Sequence, residues 1–501
     1  MTFIRFYILE IIVFIAGAAV MILELTGTRI AAPYFGTSIF VWTSLIGVIL
    51  GSLSIGYWWG GKMADREANF RTFSSILAGG AMFIALASFL SPSALMFMRE
   101  AAPDIRIGSV LAATLLFAPA SVLLGMVSPY AARLKMKDVE HSGSTVGNLY
   151  AISTVGSIAG TFLAGFFLIP LLGSTKILFF TSALLMGASF LGYSKGISAV
   201  KIGIFLYLIF LIFAFDKVRL FFSDKGLIDV DTAYNRVFIF DSIEPVSQRP
   251  IRVMSTYFPQ WESAMFLDKD DDLVVEYLKF FRLAVHFKPG LGSALLIGGA
   301  GFSYPKDFLK KNPDASMDVV EIDAGLTELA KQYFGFEENP RLYIYHEDGR
   351  TFLNRGGRKY DAILIDAFKA IQSVPYQLTT EEAVKKMHEM LADDGVLLIN
   401  IISSIEGVKG KFFRAEYWTI RSVFSNVYVI PVTDVDDGNA VQNLLLVALK
   451  NKKEPLFKSE NPEFNGYLSQ LWKKEILRDM PLLTDDFAPV DNYVLAALKN
   501  E

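Results

Sequence analysis

The stretch Ala294-Leu-Leu-Ile297-Gly298-Gly-Ala-Gly301 is an apolar run that opens directly into a glycine-rich turn. This pattern is typical of the first strand and turn of a Rossmann-like sheet, where missing Cβ atoms let the backbone approach a ligand. Strand-to-helix turns often use glycine, so the turn needs support from the sequence that follows. We predict that Gly298, Gly299 and Gly301 contact a nucleoside.

Acidic residues follow at the intervals that such a sheet requires. Glu321 and Asp323 end a second apolar run, Asp348 and Gly349 follow a third, and Asp366 ends a fourth. The carboxyl ends of parallel strands meet at one crevice, so these side chains are expected to lie close together. A carboxylate after the second strand can accept hydrogen bonds from ribose hydroxyls, and one after the third can accept from adenine. The sequence therefore predicts a nucleoside site.

From Ala294 onward, predicted strands alternate with predicted helices, which favours a parallel, doubly wound sheet. Shorter runs of alternating polarity precede it and predict a small β region with a linking helix at 271–287. We predict three domains: a transmembrane helical domain at 1–216, the small β region and linking helix at 217–290, and a Rossmann-like domain at 291–501.

The first part of the chain is strongly apolar, and mean hydropathy over the whole chain is +0.39. A helix needs ~20 apolar residues to cross a bilayer. Seven stretches come near this length, which predicts an α-helical bundle of about seven spans in a lipid bilayer: 9–28, 39–60, 73–92, 108–128, 147–171, 176–194 and 198–215.

Composition excludes several classes of site. The chain has no cysteine and only four histidines, and the histidines lack the spacing of a metal site, so no metal is predicted. A net charge of −4 gives no footprint for nucleic acid. Within the first predicted span, Glu24 would be costly to bury and is either functional or a partner of Arg29 or of a hydroxyl. We favour the structural interpretation.

Several motifs together resemble the spermidine synthase (polyamine aminopropyltransferase) family, in particular its membrane-fused branch. They include Leu23-Glu24-Leu-Thr-Gly-Thr-Arg29, Asp366-Ala-Phe with the following Ser373-Val-Pro375, and Leu483-Thr484-Asp485-Asp486. The resemblance covers nearly the whole chain. It implies an enzyme that binds decarboxylated S-adenosylmethionine, moves its aminopropyl group to a diamine and releases methylthioadenosine. Soluble relatives form dimers or tetramers, which implies a homodimer.

The resemblance also implies roles for individual residues. Glu321 would bind the ribose, Asp348 the adenine, and Asp366 would be the catalytic acid at the start of a gatekeeping loop. Glu262 falls where soluble enzymes have a glutamine near the nucleoside. Tyr376, near the end of that loop, is expected to contact the substrate.

Departures from the family pattern favour a different ligand. Gly301 replaces an acid that grips the aminopropyl ammonium, and Lys369 stands where a second acid binds the diamine. Phe280 takes the place of a tyrosine, with Arg282 two residues on. Arginine suits a carboxylate better than an amine. Arg282 and Lys369 are therefore predicted to bind the carboxylate of intact S-adenosylmethionine.

Two chemistries then carry equal weight. One is aminopropyl transfer to an amine such as a polyamine, with Glu262 or Asp268 receiving the amine. The other is a lyase reaction in which the substrate's own carboxylate forms a lactone. Other classes remain open: a methyltransferase, or a membrane transporter or receptor that senses the nucleoside.

Two arguments disagree on which side of the membrane the C-terminal domain lies. The distribution of Lys and Arg puts the N-terminus in the cytoplasm, and seven crossings would place the C-terminal domain outside. Sulfonium nucleosides are not supplied there. Giving substrate supply more weight, we predict a multi-pass protein of the prokaryotic inner membrane with a cytoplasmic catalytic domain.

Overall fold

The computed structural model describes residues 2–102, 104–136, 142–192, 199–222, 226–257, 260–268, 272–368 and 374–498. It divides into two compact units, Met1–Gly226 and Leu227–Glu501. The predicted boundary at 216 lies inside the last helix of the first unit. The second unit holds both the small β region and the Rossmann-like part, and the finer division at 290 remains a prediction.

The N-terminal unit is all helical. Its helices are α1 Thr2–Phe35, α2 Ile39–Arg66, α3 Phe70–Ala101, α4 Ile105–Lys135, α5 Ser142–Leu163, α6 Ile169–Leu172, α7 Ser174–Gly192 and α8 Ala199–Phe222, with a π-helical turn, Ala164–Leu168, between α5 and α6. Six helical segments are long and apolar enough to span a membrane, with α5, the π-helical turn and α6 forming one of them. The seventh predicted span coincides with α8, whose described apolar part is Ala199–Phe213.

Helices α1 and α5 approach each other closely through glycine. A Cβ on Gly156 would lie 2.1 Å from the carbonyl oxygen of Phe14, and one on Gly160 would lie 2.5 Å from that of Ala18. Small residues allow this backbone contact between membrane helices, where packing rather than hydrophobic exclusion drives association. The contacts also fix the register of α5 along α1.

The C-terminal unit begins with a four-stranded antiparallel sheet in the order β1-β2-β3-β4. Its strands are β1 Ile228–Asp231, β2 Arg236–Ile243, β3 Pro250–Ser255 and β4 Ser263–Phe266. The predicted linking helix is broken into α9 Glu276–Phe280, a 3-10 turn Phe281–Leu283 and α10 Ala284–Phe287.

A seven-stranded sheet follows, in the order β10-β11-β9-β8-β5-β6-β7. Its strands are β5 Ser293–Ile297, β6 Ser316–Val320, β7 Leu342–Tyr345, β8 Tyr360–Ile365, β9 Leu391–Ser403, β10 Asn426–Pro431 and β11 Gln442–Leu449. β11 is antiparallel to both its neighbours, so the expectation of a wholly parallel sheet was wrong at this edge. No helix separates β10 from β11, and a connection without a crossover helix joins antiparallel strands.

Helices cover both faces of this sheet. They are α11 Ser303–Lys311, α12 Ala324–Tyr333, α13 Gly349–Arg355, α14 Glu381–Met390, α15 Lys411–Val423, α16 Pro462–Ser469 and α17 Val490–Leu498. Alternate residues of β5 enter different cores: Ala294 and Leu296 one, Leu295 and Ile297 the other. This explains why the strand is an uninterrupted apolar run, since both of its faces are buried. The predicted Rossmann-like α/β fold is confirmed.

Candidate active site

The glycine-rich turn holds the tips of β5 and β8 together. Gly298 has a φ of +100°, and a Cβ there would lie 2.5 Å from the carbonyl oxygen of Asp366. The amide of Asp366 in turn donates to the carbonyl of Ile297 at 2.8 Å. Only glycine combines this backbone conformation with such close contact. The turn therefore sets the position of Asp366.

Glu321 shapes the same turn. Its Oε2 accepts hydrogen bonds from the amides of Gly299 and Ala300 at 2.9 and 3.0 Å, and its Oε1 accepts from the amide of Asp323 at 2.9 Å. The side chain is buried. A carboxylate offers about four acceptor positions, so capacity for one further donor remains.

Asp323 makes its observed contacts within the protein, and its predicted contact with the nucleoside stays a prediction. It is fully buried and caps α12 through a bond from the amide of Gly325 at 3.0 Å. Its Oδ2 accepts from Thr232 and from Asn235, the latter at 2.7 Å. Asp323 therefore ties the loop between β1 and β2 to the large sheet.

Asp348 and Gly349 lie beside the tip of β5. Oδ1 of Asp348 caps α13 by accepting from the amide of Thr351 at 2.9 Å, while Oδ2 takes no part in this capping. Gly349 is buried, and a Cβ on it would lie 2.8 Å from the Ile297 side chain. Asp348 is half-buried at the same edge as Glu321 and Asp366.

Arg350 connects this turn to two distant segments. Its guanidinium donates to the carbonyl of Gln377 at 3.0 Å and to Thr380 at 2.9 Å. It also forms a two-pronged ion pair with Asp485, at 2.9 and 2.7 Å. The residues after the predicted gatekeeping loop and the Leu483–Asp486 motif are thereby fixed to the turn that carries Asp348.

Asp366 is the centre of the site. Its Oδ2 accepts from the hydroxyl of Tyr277 at 3.1 Å, and its Oδ1 accepts from Nδ2 of Asn400 at 3.2 Å. Burial raises the pKa of Asp366 to about 6. The hydrogen bonds from Asn400 and Tyr277 lower this pKa, and the negative charge of Glu262 raises it. Burial and the neighbouring Asp366 raise the pKa of Tyr277, which keeps its proton. A carboxyl group whose pKa lies near neutral pH suits general base catalysis.

Glu262 and Asn400 complete the surroundings of Asp366. Glu262 lies just before β4, accepts a hydrogen bond from Thr256, and is close enough for its charge to raise the pKa of Asp366. Oδ1 of Asn400 is buried and meets no donor among the described residues. Two carboxylates and an amide oxygen are acceptors, so the cluster suits a ligand that donates hydrogen bonds.

The position of Gly301 explains the missing acid. A Cβ there would lie 2.7 Å from the Cβ of Ser263, and the amide of Gly301 donates to the Ser263 hydroxyl at 3.0 Å. β4 therefore occupies the space that a longer side chain at 301 would need.

Arg282, predicted to bind a substrate carboxylate, is already bonded within the protein. Its guanidinium is buried and bonded to three carboxylates: Asp307 at 2.7 and 2.9 Å, Asp272 at 2.6 Å and Glu463 at 2.6 Å. These acceptors occupy the planar fork, so it is not presented to a substrate carboxylate.

The tyrosine of the site is Tyr277, not a residue replaced by Phe280. Phe280 is buried in the core and stacked on Tyr467, with ring centroids 4.2 Å apart. Tyr277 stands three residues earlier, one helical turn away, and its hydroxyl reaches Asp366. Tyr277 is therefore the tyrosine in contact with Asp366, and reasoning from sequence did not single it out.

The remaining predicted contacts fall around the loop after Asp366. Lys369 lies outside the described residues. Tyr376 begins a 3-10 turn, and its side chain is exposed.

Asp268, the other acid considered for an amine, is paired with Arg249. No group of three or more His, Asp or Glu side chains in the described ranges could hold a metal ion.

Comparison with known proteins gives a consistent class. Residues 279–432 match the spermine/spermidine synthase domain family. The chain is 29% identical over 240 residues to the polyamine aminopropyltransferase of Vibrio vulnificus, covering 44% of this chain and 77% of that protein. It is 27% identical over 146 residues to the human eEF1A lysine and N-terminal methyltransferase, covering 27% of this chain and 20% of that protein.

Among solved structures, a probable spermidine synthase from Corynebacterium glutamicum aligns with a TM-score of 0.40 at 21% identity, covering 48% of this chain and 85% of that one.

The sheet order and the site at its carboxyl edge define a Rossmann-like domain of the kind shared by methyltransferases and spermidine synthases. Within this C-terminal unit, residues 279–432 form a spermidine synthase-like domain.

Proposed function

We propose that the C-terminal unit binds S-adenosylmethionine or its decarboxylated form and breaks the bond between sulfur and Cγ, releasing 5'-methylthioadenosine. The observation that carries this is Asp366, a buried carboxyl held between Tyr277 and Asn400 with Glu262 nearby. The relatives named as polyamine aminopropyltransferases support the same chemistry.

In the proposed complex, the nucleoside lies over the tip of β5. The backbone at Gly298 and Gly299 leaves room for it, and the remaining acceptor capacity of Glu321 suits a ribose hydroxyl. Oδ2 of Asp348, free of helix capping, suits the exocyclic amine of adenine.

An amine is the preferred nucleophile. Its nitrogen attacks Cγ, the C–S bond breaks with its electron pair moving to sulfur, and the amine proton passes to Asp366. Tyr277 and Asn400 hold the carboxylate in place, and Glu262 favours a cationic amine before it is deprotonated. Holding the two reactants in line contributes most, as in other displacement reactions.

This preference revises the reasoning from sequence. Arg282 and Lys369 were the cations proposed for a substrate carboxylate, and Arg282 is bonded to three acids elsewhere. Around Asp366, the carboxylate of Glu262 and the unpartnered Oδ1 of Asn400 are acceptors suited to an amine. Aminopropyl transfer is therefore favoured over the lyase reaction.

One observation still favours the lyase as a second candidate. Because Ser263 fills the space beside Gly301, the acid that would bind an aminopropyl ammonium cannot be accommodated there. Intact S-adenosylmethionine could then bind, with its own carboxylate oxygen attacking Cγ to give a lactone and methylthioadenosine.

We further propose that the N-terminal unit is an integral membrane domain of a prokaryotic inner membrane, with the catalytic unit in the cytoplasm. Its six long apolar helices support insertion, and the supply of sulfonium nucleosides supports the sidedness. A homodimer is proposed from the behaviour of soluble relatives.

Product analysis of the full-length protein tests the proposal. One mixture contains S-adenosylmethionine alone, and the other contains decarboxylated S-adenosylmethionine with putrescine. Methylthioadenosine and spermidine in the second mixture alone would support transfer, and methylthioadenosine in the first would support the lyase. Adenosylhomocysteine as product would replace both with a methyltransferase. Binding without turnover in either mixture would favour a sensor.

Asp366→Asn supplies the matched variant, because it keeps the shape of the side chain and removes the base. It should abolish methylthioadenosine release while nucleoside affinity stays nearly unchanged. Full activity in this variant would refute the assignment of Asp366.

A further inference from the structure

Glu24 is an acid in the middle of an apolar helix. The apolar segment runs from Tyr7 to Phe35, so Glu24 lies about 5 Å along the helix axis from its centre. It makes no hydrogen bond or ion pair with Arg29, with a hydroxyl or with any other described residue, contrary to the structural role expected from sequence. An ionisable group at this depth is rare unless it has a function.

A second acid in the same helix, Glu10, has a basic partner. Glu10, two to three turns into α1, is buried and forms an ion pair with Lys135 near the end of α4. Glu24 has no equivalent partner, so it differs from an ordinary structural carboxylate of this bundle.

The facing helix α4 places a second polar group at the level of Glu24. Helices α1 and α4 are antiparallel, because Glu10 pairs with Lys135 and Gly27 packs against Phe117. Glu24 lies one turn before Gly27 on the same face of α1, and Ser121 lies one turn after Phe117 on the same face of α4. The two residues thus occupy one level of this interface. Oγ of Ser121 is fully buried and has no partner among the described residues.

Helix α5 packs on a different face of α1. Its contacts with α1 advance in step, from Gly156 against Phe14 to Gly160 against Ala18, and Ala164 shares a core with Ile22. The π-helical turn Ala164–Leu168 therefore lies near Ile22 of α1. Residues 22 and 24 are about 200° apart around a helix, so this turn packs on a different face of α1 from Glu24.

We propose that Glu24, with Ser121, forms a cation-binding site within the membrane unit. Both supply oxygen acceptors, and a single carboxylate balances one positive charge. The ligand is a monovalent cation, either an alkylammonium group or an alkali ion. The site rests on the proposed membrane insertion of this unit and is independent of the chemistry proposed at Asp366.

Labelling by an apolar carbodiimide tests the site, because this reagent modifies carboxyl groups within the bilayer. Full-length protein in lipid nanodiscs is treated with the carbodiimide in the presence of putrescine, of sodium or of a bulky control cation, tetrabutylammonium. Modification of Glu24 is followed by mass spectrometry. At ten times its dissociation constant, a bound cation should slow the labelling about tenfold by mass action. Protection by putrescine identifies an ammonium ligand, and protection by sodium identifies an alkali ion.

Two variants sharpen the result. Glu24→Gln should lose the label, and Ser121→Ala should keep the label but need more cation for the same protection. Labelling of Glu24 that neither putrescine nor sodium slows, or its absence from the modified positions, would overturn the proposal. Recovery of the protein in the membrane fraction, and unchanged methylthioadenosine release by Glu24→Gln, separate this outcome from failure of the membrane or catalytic proposals.

Discussion

The carbonyl oxygen of Asp366 lies 2.5 Å from the position that a Cβ on Gly298 would occupy. The residue proposed as the base and the turn proposed to lie under the nucleoside are thus in backbone contact. A change in one must move the other.

Gly298→Ala should therefore lower both activity and stability. The positive φ costs about 1–3 kcal/mol for a residue with a side chain, and the clash displaces Asp366 from Tyr277, for which we expect at least a hundredfold loss of kcat. Methylthioadenosine release measures the effect. Gly335→Ala is the matched control, since its φ is +58° and nothing lies within 4 Å of a Cβ there. Equal losses of activity in both variants would contradict the contact argument.

The pH dependence of activity should shift in opposite directions in two variants. With a pKa of about 6, Asp366 is protonated below this pH and ionised above it, so activity rises as the pH increases through it. Tyr277→Phe removes a hydrogen bond that lowers this pKa, and the acid limb should move to higher pH. Glu262→Gln removes a charge that raises it, and the limb should move to lower pH. Profiles of kcat/KM measure both.

Parallel shifts, or none, would mean that another group controls the acid limb. If Tyr277→Phe loses nucleoside affinity and nothing else, the hydrogen bond from Tyr277 to Asp366 does not control catalysis.

Arg282→Met should destabilise the C-terminal unit strongly while leaving nucleoside contacts in place. Removing one partner of a buried ion pair costs about 3–5 kcal/mol because the remaining charges stay buried. Hydrogen exchange across residues 276–297 of the full-length protein measures the local loss. Arg252→Met removes the more exposed pair with Asp241 and should cost about 0–1 kcal/mol. A stable Arg282→Met variant with a raised KM would restore the substrate-binding role predicted from sequence.

Glu416 makes stability depend on pH. Both of its carboxylate oxygens are buried without a partner among the described residues, and burial raises its pKa well above the ordinary value. In the unfolded chain, Glu416 ionises near pH 4.3, whereas in the folded state it keeps its proton to higher pH. The free energy of unfolding therefore falls as the pH increases from about 4.3 up to the pKa of Glu416 in the folded state. Glu416→Gln should flatten this dependence in thermal unfolding of the C-terminal unit. An unchanged slope would show that Glu416 is not its source.

The fold was largely predictable because its signals are local. Apolar runs at β5, β6 and β8 and the glycine turn at Gly298 lie where the sequence indicated. The antiparallel β11 was missed, because an apolar run does not reveal the direction of its neighbours.

The site was less predictable, because burial and long-range partners decide what a charged residue can do. Arg282 meets Asp307 and Glu463, which lie 25 and 181 residues away in sequence. Asp323 is occupied by Thr232 and Asn235 from an earlier hairpin. Neither partner could be assigned by spacing. The roles of Glu321, Asp348 and Asp366 in binding and catalysis stay predictions.

The matched synthase segment begins at residue 279, yet two of the groups around Asp366, Glu262 and Tyr277, precede it. A fragment trimmed to that segment would retain the acid and lose the hydroxyl that orients it. Any excised version of this unit should therefore start at the unit boundary, Leu227. The small antiparallel sheet must stay with the larger one, because Glu262 directly precedes its last strand, β4.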